Sequence, residues 1–467
     1  MKKLTLKNIA AACGGTLIRG EDSVSVSGVS TDTRAISEGD VFFALIGDNF
    51  DAHDFLSGAI EQGADALVIS DSAAVPAGYD GGVVLVSDTL AAYQDLAAYY
   101  RDLIAPYTIA VTGSVGKTSL KDMIAQIVSP SYRTVYTDKN YNNHIGVPKT
   151  IFGMDEDTQV LILEMGMNHP GEISRLACIG RPDVCAITNI GLSHRENFTD
   201  DEGIFNAKME IVTYFSGDQK LIINADDERL QLLVTAPDLC YRLVTCGQSD
   251  GCEYRITQPV QNSDATISFD MDHLGEHTHF DIPAAGIFNG VTAAIAVACV
   301  SALGITPSQA AGRLTELKRT PHRLELSEGR GVLVIDDTYN ASPDSMKAAI
   351  DFLMSVSAHR KIAAFAGMNE LGEKSPELHR AVGRYAAASG VDFLAAVGEK
   401  AHEIAEGYRE VKDNPAAAIE FDNNEAASVL LRAFTEPGDA VLVKGSRSYK
   451  TEEIAAALLK PEQRDEE

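Results

Sequence analysis

An α/β fold built on parallel sheets and divided into three domains is what this sequence predicts. The prediction rests on short, wholly apolar runs, on amphipathic helical stretches between them, and on a glycine-rich loop joining one run to one helix. The runs are Thr108–Val111, Val160–Leu163, Val184–Ile187, Leu221–Ile223, Val332–Ile335, Ala363–Ala366, Phe393–Val397 and Ala440–Val443. Segments this apolar are buried on both faces, which is how strands of a helix-covered parallel sheet read. Between them, Leu120, Met123, Ile124 and Ile127 share one face of a helix over Leu120–Val128.

At 467 residues the chain exceeds what one hydrophobic core supports. A first block, 1–105, reads as a smaller α/β unit closed by the helical pattern Leu90–Leu103 and the breaker Pro106. A second, 106–318, contains the glycine-rich loop and a polar stretch near 245–285 that reads as an antiparallel excursion. A third, 319–467, opens on a Thr-Pro-His-Arg turn, holds four strand–helix signals and ends in a charged tail. The formal charge of −28 argues against nucleic acid and anionic lipid as partners. It leaves room for a nucleotide, because converging backbone N–H groups outweigh a global field locally. No stretch approaches the ~20 apolar residues of a membrane span, and the seven scattered cysteines form no CxxC. A reducing cytoplasm is the expected location, and a monomer the expected state.

The loop Gly113-Ser114-Val115-Gly116-Lys117-Thr118-Ser119 follows the run TIAV and opens a helix at Leu120. Strand before, helix after and Lys-Thr in register are what a phosphate loop requires. The glycines allow the tight turn, Lys117 is placed to reach the β- and γ-phosphates of ATP, and the Thr118 hydroxyl is placed to ligate Mg²⁺. Gly113 and Gly116 enclose only Ser114 and Val115, a shorter loop than the common GxxxxGK[ST] form, and the short form points towards ligases.

Glu164 ends the run VLIL, at the sheet end where α/β proteins carry their chemistry, and suits a second Mg²⁺ ligand. His194 follows the strand end Thr188-Asn189-Ile190-Gly191. A lone histidine is more often structural than a ligand, but a loop at a third consecutive strand end favours function. Lys208, within a helical pattern, reads by itself as a solvated helix lysine.

With these pieces in order, the chain resembles the Mur ligase family over nearly its whole length. The resemblance lies in TGSVGKTSLK (112–121), NYNNHIGVP (140–148), EMGMNHPGEI (164–173), ITNIGLSHRENF (187–198) and AKMEI (207–211). STDTR (30–34), EGDVFFAL (38–45) and FDAHDF (50–55) are similar to the family's uridine-nucleotide domain. DDTYNASPDSM (336–346), AGMNELG (366–372) and KGSRSYKTEE (444–453) resemble the branch that adds D-alanyl-D-alanine, and the DNPR motif of the tripeptide-forming branch is absent.

The resemblance implies a three-domain architecture with a central phosphate-loop ATPase domain and a C-terminal Rossmann-like domain. It implies an ATP-dependent ligase of peptidoglycan precursor synthesis, acting on UDP-N-acetylmuramoyl-tripeptide and D-alanyl-D-alanine through an acyl phosphate. Lys117, Glu164, His194 and Lys208 match its catalytic positions, with Lys208 carbamylated. Thr118, Glu164, His194 and Lys208 match ligands of two Mg²⁺ ions. Asn289, Arg323, Asp337 and Asn340 match ATP contacts beside the phosphate loop. Ser30, Thr31, Asp32 and Arg34 match the uridine-nucleotide loop, and Asn142 and Asn143 a polar loop facing the reaction centre.

Three segments depart from the family's pattern, one of them by Ser342 in place of the asparagine usual in the DDTYN segment. Phe288 and Thr292 stand where a histidine and a second asparagine are usual, which puts the adenine contact at Asn289 in question. Ser193 and Arg195 flank His194 in place of alanine and leucine. A related folate-type ligase and a phosphate-loop switch ATPase are the rival readings. The N-terminal FDAHDF block counts against the first, and acceptor-dependent ADP release would exclude the second.

Overall fold

The computed structural model describes residues 1–47, 49–191, 195–198, 200–262, 264–412 and 414–461. Every apolar run named above is a strand in it, and three mainly parallel sheets follow one another along the chain. The N-terminal sheet has five strands in the order Thr16–Arg19, Gly82–Leu85, Ala64–Ile69, Asp40–Phe43, Gly28–Ser30. The 16-residue helix Thr89–Ile104 closes it, capped by the Asp88 carboxylate on Ala91 N–H.

The central sheet has nine strands. Its order begins Thr134–Tyr136, Val160–Glu164, Tyr107–Thr112, Val184–Ile187, Lys220–Asn224 and Arg242–Gly247. The chain leaves Tyr107–Thr112 to build one side of the sheet and later returns to build the other. That strand is therefore the switch point, where α/β sheets open a crevice at their carboxyl ends. The polar stretch is antiparallel as expected, but it continues this same sheet through Tyr254–Gln261, Ile267–His273 and Glu276–Ile282. Edge position explains its composition, since alternate side chains face water.

The C-terminal sheet has six strands, ordered Glu325–Gly329, Val332–Asp336, Ala440–Lys444, Lys361–Ala366, Phe393–Val397 and Ala418–Phe421. Five of them lead into helices, where the sequence indicated four. The overlooked strand, Ala418–Phe421, lies at an edge and carries the polar Glu420, so it has no wholly apolar run.

Two helices position the site. Lys117–Val128 starts at Gly116, whose φ of 83° suits glycine, and buries Leu120, Met123, Ile124 and Ile127 against the sheet. Phe288–Val300 is buried on all sides beyond its first residue, which suits its mostly apolar sequence, and packs against it.

Candidate active site

The phosphate loop is held open by the next strand end. Asn189 accepts Val115 N–H at 3.0 Å through Oδ1 and donates to the Val115 carbonyl at 3.2 Å through Nδ2. Thr188 Oγ1 donates to the same carbonyl at 2.6 Å, and Gly191 N–H donates to Ser114 Oγ at 2.7 Å. Gly113 fits under this clamp only because it lacks a Cβ: one built there would lie 1.9 Å from Thr188 Oγ1, at a φ of 145°. Gly113→Ala is therefore expected to cost about 1–3 kcal/mol of stability and to weaken nucleotide binding. Thermal melts with and without ATP check this; an unchanged melting temperature and ATP affinity would refute it.

Lys117 lies folded along the loop, its Nζ donating to the carbonyls of Gly113 (2.7 Å) and Ser114 (3.3 Å). Burial pulls its pKa down, and the Glu164 carboxylate pulls it partly back. Glu164 is 2% exposed. Asn142 Nδ2 donates to its Oε1 at 2.9 Å, whereas Oε2 is buried without a hydrogen-bond partner among the described residues. Thr137 Oγ1 accepts Glu164 N–H at 3.0 Å and fixes the strand end. A buried, half-satisfied carboxylate beside a phosphate loop fits a cation.

Lys208 is not the solvated lysine its helical setting indicated. The helix Asp201–Met209 turns it inward, and it is 1% exposed. Burial lowers its pKa well below the usual lysine value, and the nearby Lys117 ammonium pushes the same way. Such a lysine tends towards the neutral amine. His194 lies outside the described residues.

The C-terminal domain closes the site from the far side. Phosphate loop, Glu164, Asn142, Asn289, Arg323, Asp337 and Asn340 line one cavity of about 450 Å³. Arg323 Nη2 donates to Thr118 Oγ1 at 3.1 Å, and its guanidinium lies 4.1 Å from the centre of the Tyr339 ring. Asp337 is paired with the buried Lys444, Nζ to Oδ2 2.6 Å, and Lys444 also donates to the Asn340 carbonyl at 2.8 Å. Asn289 is buried, with Nδ2 on the Ala285 carbonyl at 2.7 Å, and Phe288 and Thr292 stand on the same wall. Glu196 N–H donates to the Glu370 carbonyl at 3.2 Å, and Thr320 Oγ1 to Asp122 Oδ2 at 2.9 Å, so the two domains meet on both flanks.

Other expected residues lie apart from this cavity. Asn143 Oδ1 accepts Gly146 N–H at 2.9 Å just ahead of the helix Gly146–Phe152, and Asn143 lines a second cavity towards the N-terminal domain. Ser30, Thr31, Asp32 and Arg34 form a preformed loop on the N-terminal sheet. Ser30 Oγ donates to the Asp32 carbonyl at 3.0 Å. The Asp32 carboxylate is held to about 2 by its bonds to the Arg34 side chain and backbone, with Lys149 of the central domain adding to the effect.

Several cavity residues went unselected from sequence: Asp122, Thr188, Asn189, Asn369, Glu370 and Lys444. Asn189 and Lys444 had a signal, since each sits at the carboxyl end of a predicted strand. Thr188 follows the same strand as Asn189, and Asp122 lies on the phosphate-loop helix; Asn369 and Glu370 become site residues only through domain closure.

Three family profiles match the chain. They are the Mur ligase family, catalytic domain over 25–107, the Mur ligase middle domain over 111–300 and the Mur ligase, glutamate ligase domain over 322–447. A Bacillus subtilis (strain 168) protein named UDP-N-acetylmuramoyl-tripeptide--D-alanyl-D-alanine ligase is 37% identical over 465 residues, 98% of this chain and 99% of its own. A crystal structure of MurF from Acinetobacter baumannii superposes with a TM-score of 0.89 at 28% identity, covering 98% and 99% of the two chains. The MurF ligase from Thermotoga maritima in complex with ADP gives 0.82 at 26% identity, covering 93% and 97%.

Proposed function

The chain belongs to the Mur ligase family, and from that premise we infer that it is the ATP-dependent ligase that adds D-alanyl-D-alanine to UDP-N-acetylmuramoyl-tripeptide. It thereby serves peptidoglycan precursor synthesis. The observation that carries this reading is the shared cavity, in which the phosphate loop and Glu164 face Arg323, Asp337 and Asn340 from another domain. A ligase must bring nucleotide, acid and amine together and exclude water, and a cleft between domains does this on closure.

The tripeptide's terminal carboxylate attacks the γ-phosphorus of ATP, giving an acyl phosphate and ADP. The dipeptide's neutral amine then attacks the acyl carbon. The C–N bond forms, the C–O bond to phosphate breaks, and one N–H proton leaves with the phosphate. Bringing two anions together demands neutralisation, which Lys117 and Arg323 supply from opposite walls. The loop N–H groups orient the phosphates, and the rest is positioning.

Glu164, with its unpartnered Oε2, and the Thr118 hydroxyl are suited to hold Mg²⁺, which when bound neutralises phosphate charge. A second Mg²⁺ falls to Glu164, His194 and a carbamylated Lys208, whose depressed pKa favours the neutral amine that reacts with carbon dioxide. The N-terminal loop Ser30–Arg34 takes the uridine nucleotide, with Asn142 beside the acyl group. Asn289 serves the adenine side of the cavity. The domain limits 1–105, 106–318 and 319–467 divide these tasks.

The described cysteines are all free, and no described helix is long and apolar enough to cross a membrane. Both support action in a reducing cytoplasm, and the protein works there as a monomer. A phosphate-release assay across UDP-muramoyl peptides and D-dipeptides tests the function. Release is expected only when a tripeptide nucleotide and D-alanyl-D-alanine are both present; release with ATP alone would overturn the reading.

A further inference from the structure

On the functional reading above, Arg323 brings positive charge to the phosphates from the C-terminal domain. The chain reaches it along a linker fastened to the central domain. Arg319 donates through Nε to the Pro283 carbonyl at 3.3 Å and through Nη2 to the Asp264 carbonyl at 3.0 Å. Thr320 Oγ1 donates to Asp122 Oδ2 at 2.9 Å. Lys318 and Arg319 line the cavity at this linker, but both are exposed, and Arg319 is spent on the two carbonyls.

Beyond the linker the backbone turns left-handed on both sides of Arg323, with φ of 60° at His322 and 48° at Leu324. Side chains seldom adopt that conformation, and it persists only where the surroundings enforce it. Here the end of the strand Val332–Asp336 holds the turn from both flanks. His322 Nδ1 lies 2.9 Å from Asp336 Oδ2, and Leu324 N–H donates to Asp337 Oδ1 at 3.2 Å. An ionised carboxylate only accepts, so Nδ1 is the donor. His322 N–H donates to Glu325 Oε2 at 3.0 Å, and Tyr339 N–H to the His322 carbonyl at 3.2 Å. Asp336 is steadied in turn by Thr338, whose Oγ1 donates to Oδ1 at 2.6 Å.

The turn aims the guanidinium inward. Its Nη2 donates to Thr118 Oγ1 at 3.1 Å, and the Tyr339 ring backs it at 4.1 Å. Its Nε is buried without a hydrogen-bond partner among the described residues. Such a donor is costly until a ligand completes it. Arg323, Leu324, Asp337 and Tyr339 form cavity wall, whereas His322 and Asp336 stand behind it. What these two contribute to the reaction passes through Arg323.

We propose that His322 is a positioning residue for the ligase reaction, its ring on Asp336 holding the left-handed turn that aims Arg323 at the phosphate loop. The proposal rests on the functional reading above, in which Arg323 neutralises phosphate charge. Without the ring the turn is tied to the strand end by backbone groups alone, and the guanidinium loses its fixed approach.

Steady-state phosphate release by the full chain, paired with thermal melts, tests this in His322→Gly, His322→Asn, Arg323→Met and the double variant His322→Gly/Arg323→Met. Glycine and asparagine both tolerate the left-handed backbone, but only asparagine keeps a side-chain N–H for Asp336. His322→Gly should lower kcat about 10- to 100-fold, the scale of a misplaced group at a reacting centre, and leave the KM for the dipeptide unchanged. His322→Asn should restore most of that loss. The double variant should be no slower than Arg323→Met, because a residue acting through Arg323 has nothing left to position.

Asp336→Asn leaves one carbonyl oxygen for His322 and Thr338 to share, and it serves if His322→Gly does not fold. Its kcat loss should likewise vanish on the Arg323→Met background. A loss that persists on that background, in either variant, would overturn the proposal. So would a His322→Asn protein that folds yet is as slow as His322→Gly. Wild-type protein releasing no phosphate with any tripeptide nucleotide and D-dipeptide would instead overturn the functional reading.

Discussion

Lys117→Ala is expected to reduce phosphate release by about a thousandfold or more, the scale of losing one preorganised electrostatic group at a reacting centre. No neighbour can replace it. Arg323 is held by Thr118 and Tyr339 on the opposite wall, and its planar fork does not reproduce a compact ammonium inside the loop. Lys208 is buried and tends towards the neutral amine. The fold should survive, because among the described residues Lys117 bonds to loop carbonyls alone and its charged form is penalised by burial. Phosphate release paired with a thermal melt checks both halves. Activity within tenfold of wild type would remove Lys117 from the reaction, and a collapsed melting temperature would reassign it to structure.

Lys208→Ala is expected to lower activity by about a hundredfold or more and to be partly restored by formate or acetate. The truncation leaves a small buried cavity within electrostatic reach of the Lys117 ammonium. A carboxylate entering that cavity would replace the oxygens of a carbamate. A protonated lysine there would set two cations against each other, which favours the neutral amine, whereas a carbamate attracts the Lys117 ammonium. Depletion of carbon dioxide should reduce the activity of the wild-type protein and leave the rescued variant unaffected. Full activity in Lys208→Ala would end the carbamate proposal, and loss without rescue by any short acid would reduce Lys208 to a packing residue.

The legibility of the site divides along the same line as these two residues. Lys117 could be found from sequence because a phosphate loop is local: strand, turn and helix lie within a few residues, and the glycines mark where the backbone must bend. Glu164 was legible for a related reason, since a polar residue ending an apolar run marks a strand's carboxyl end. Lys208 was not, because its helix shows no clear apolar stripe and nothing nearby states which face turns inward. Its place came from family resemblance, and its burial appears only once that helix is packed on its neighbours, among them the helix Glu172–Gly180.

By itself, then, the sequence determined what short-range physics controls: the eight apolar strands, the helices between them, the phosphate loop and the acid at the neighbouring strand end. Apolar periodicity and backbone geometry act over a few residues and need no partner. Tertiary structure alone decided which residues meet across domains. It placed Arg323 on Thr118 across two domains and, within domains, paired Lys444 with Asp337 and clamped the loop through Asn189. These contacts join positions up to 205 residues apart (Thr118 to Arg323), and no local pattern encodes them. The burial that shifts Lys117 and Lys208, and that leaves Glu164 Oε2 without a hydrogen-bond partner among the described residues, likewise exists only when the surrounding elements have excluded water.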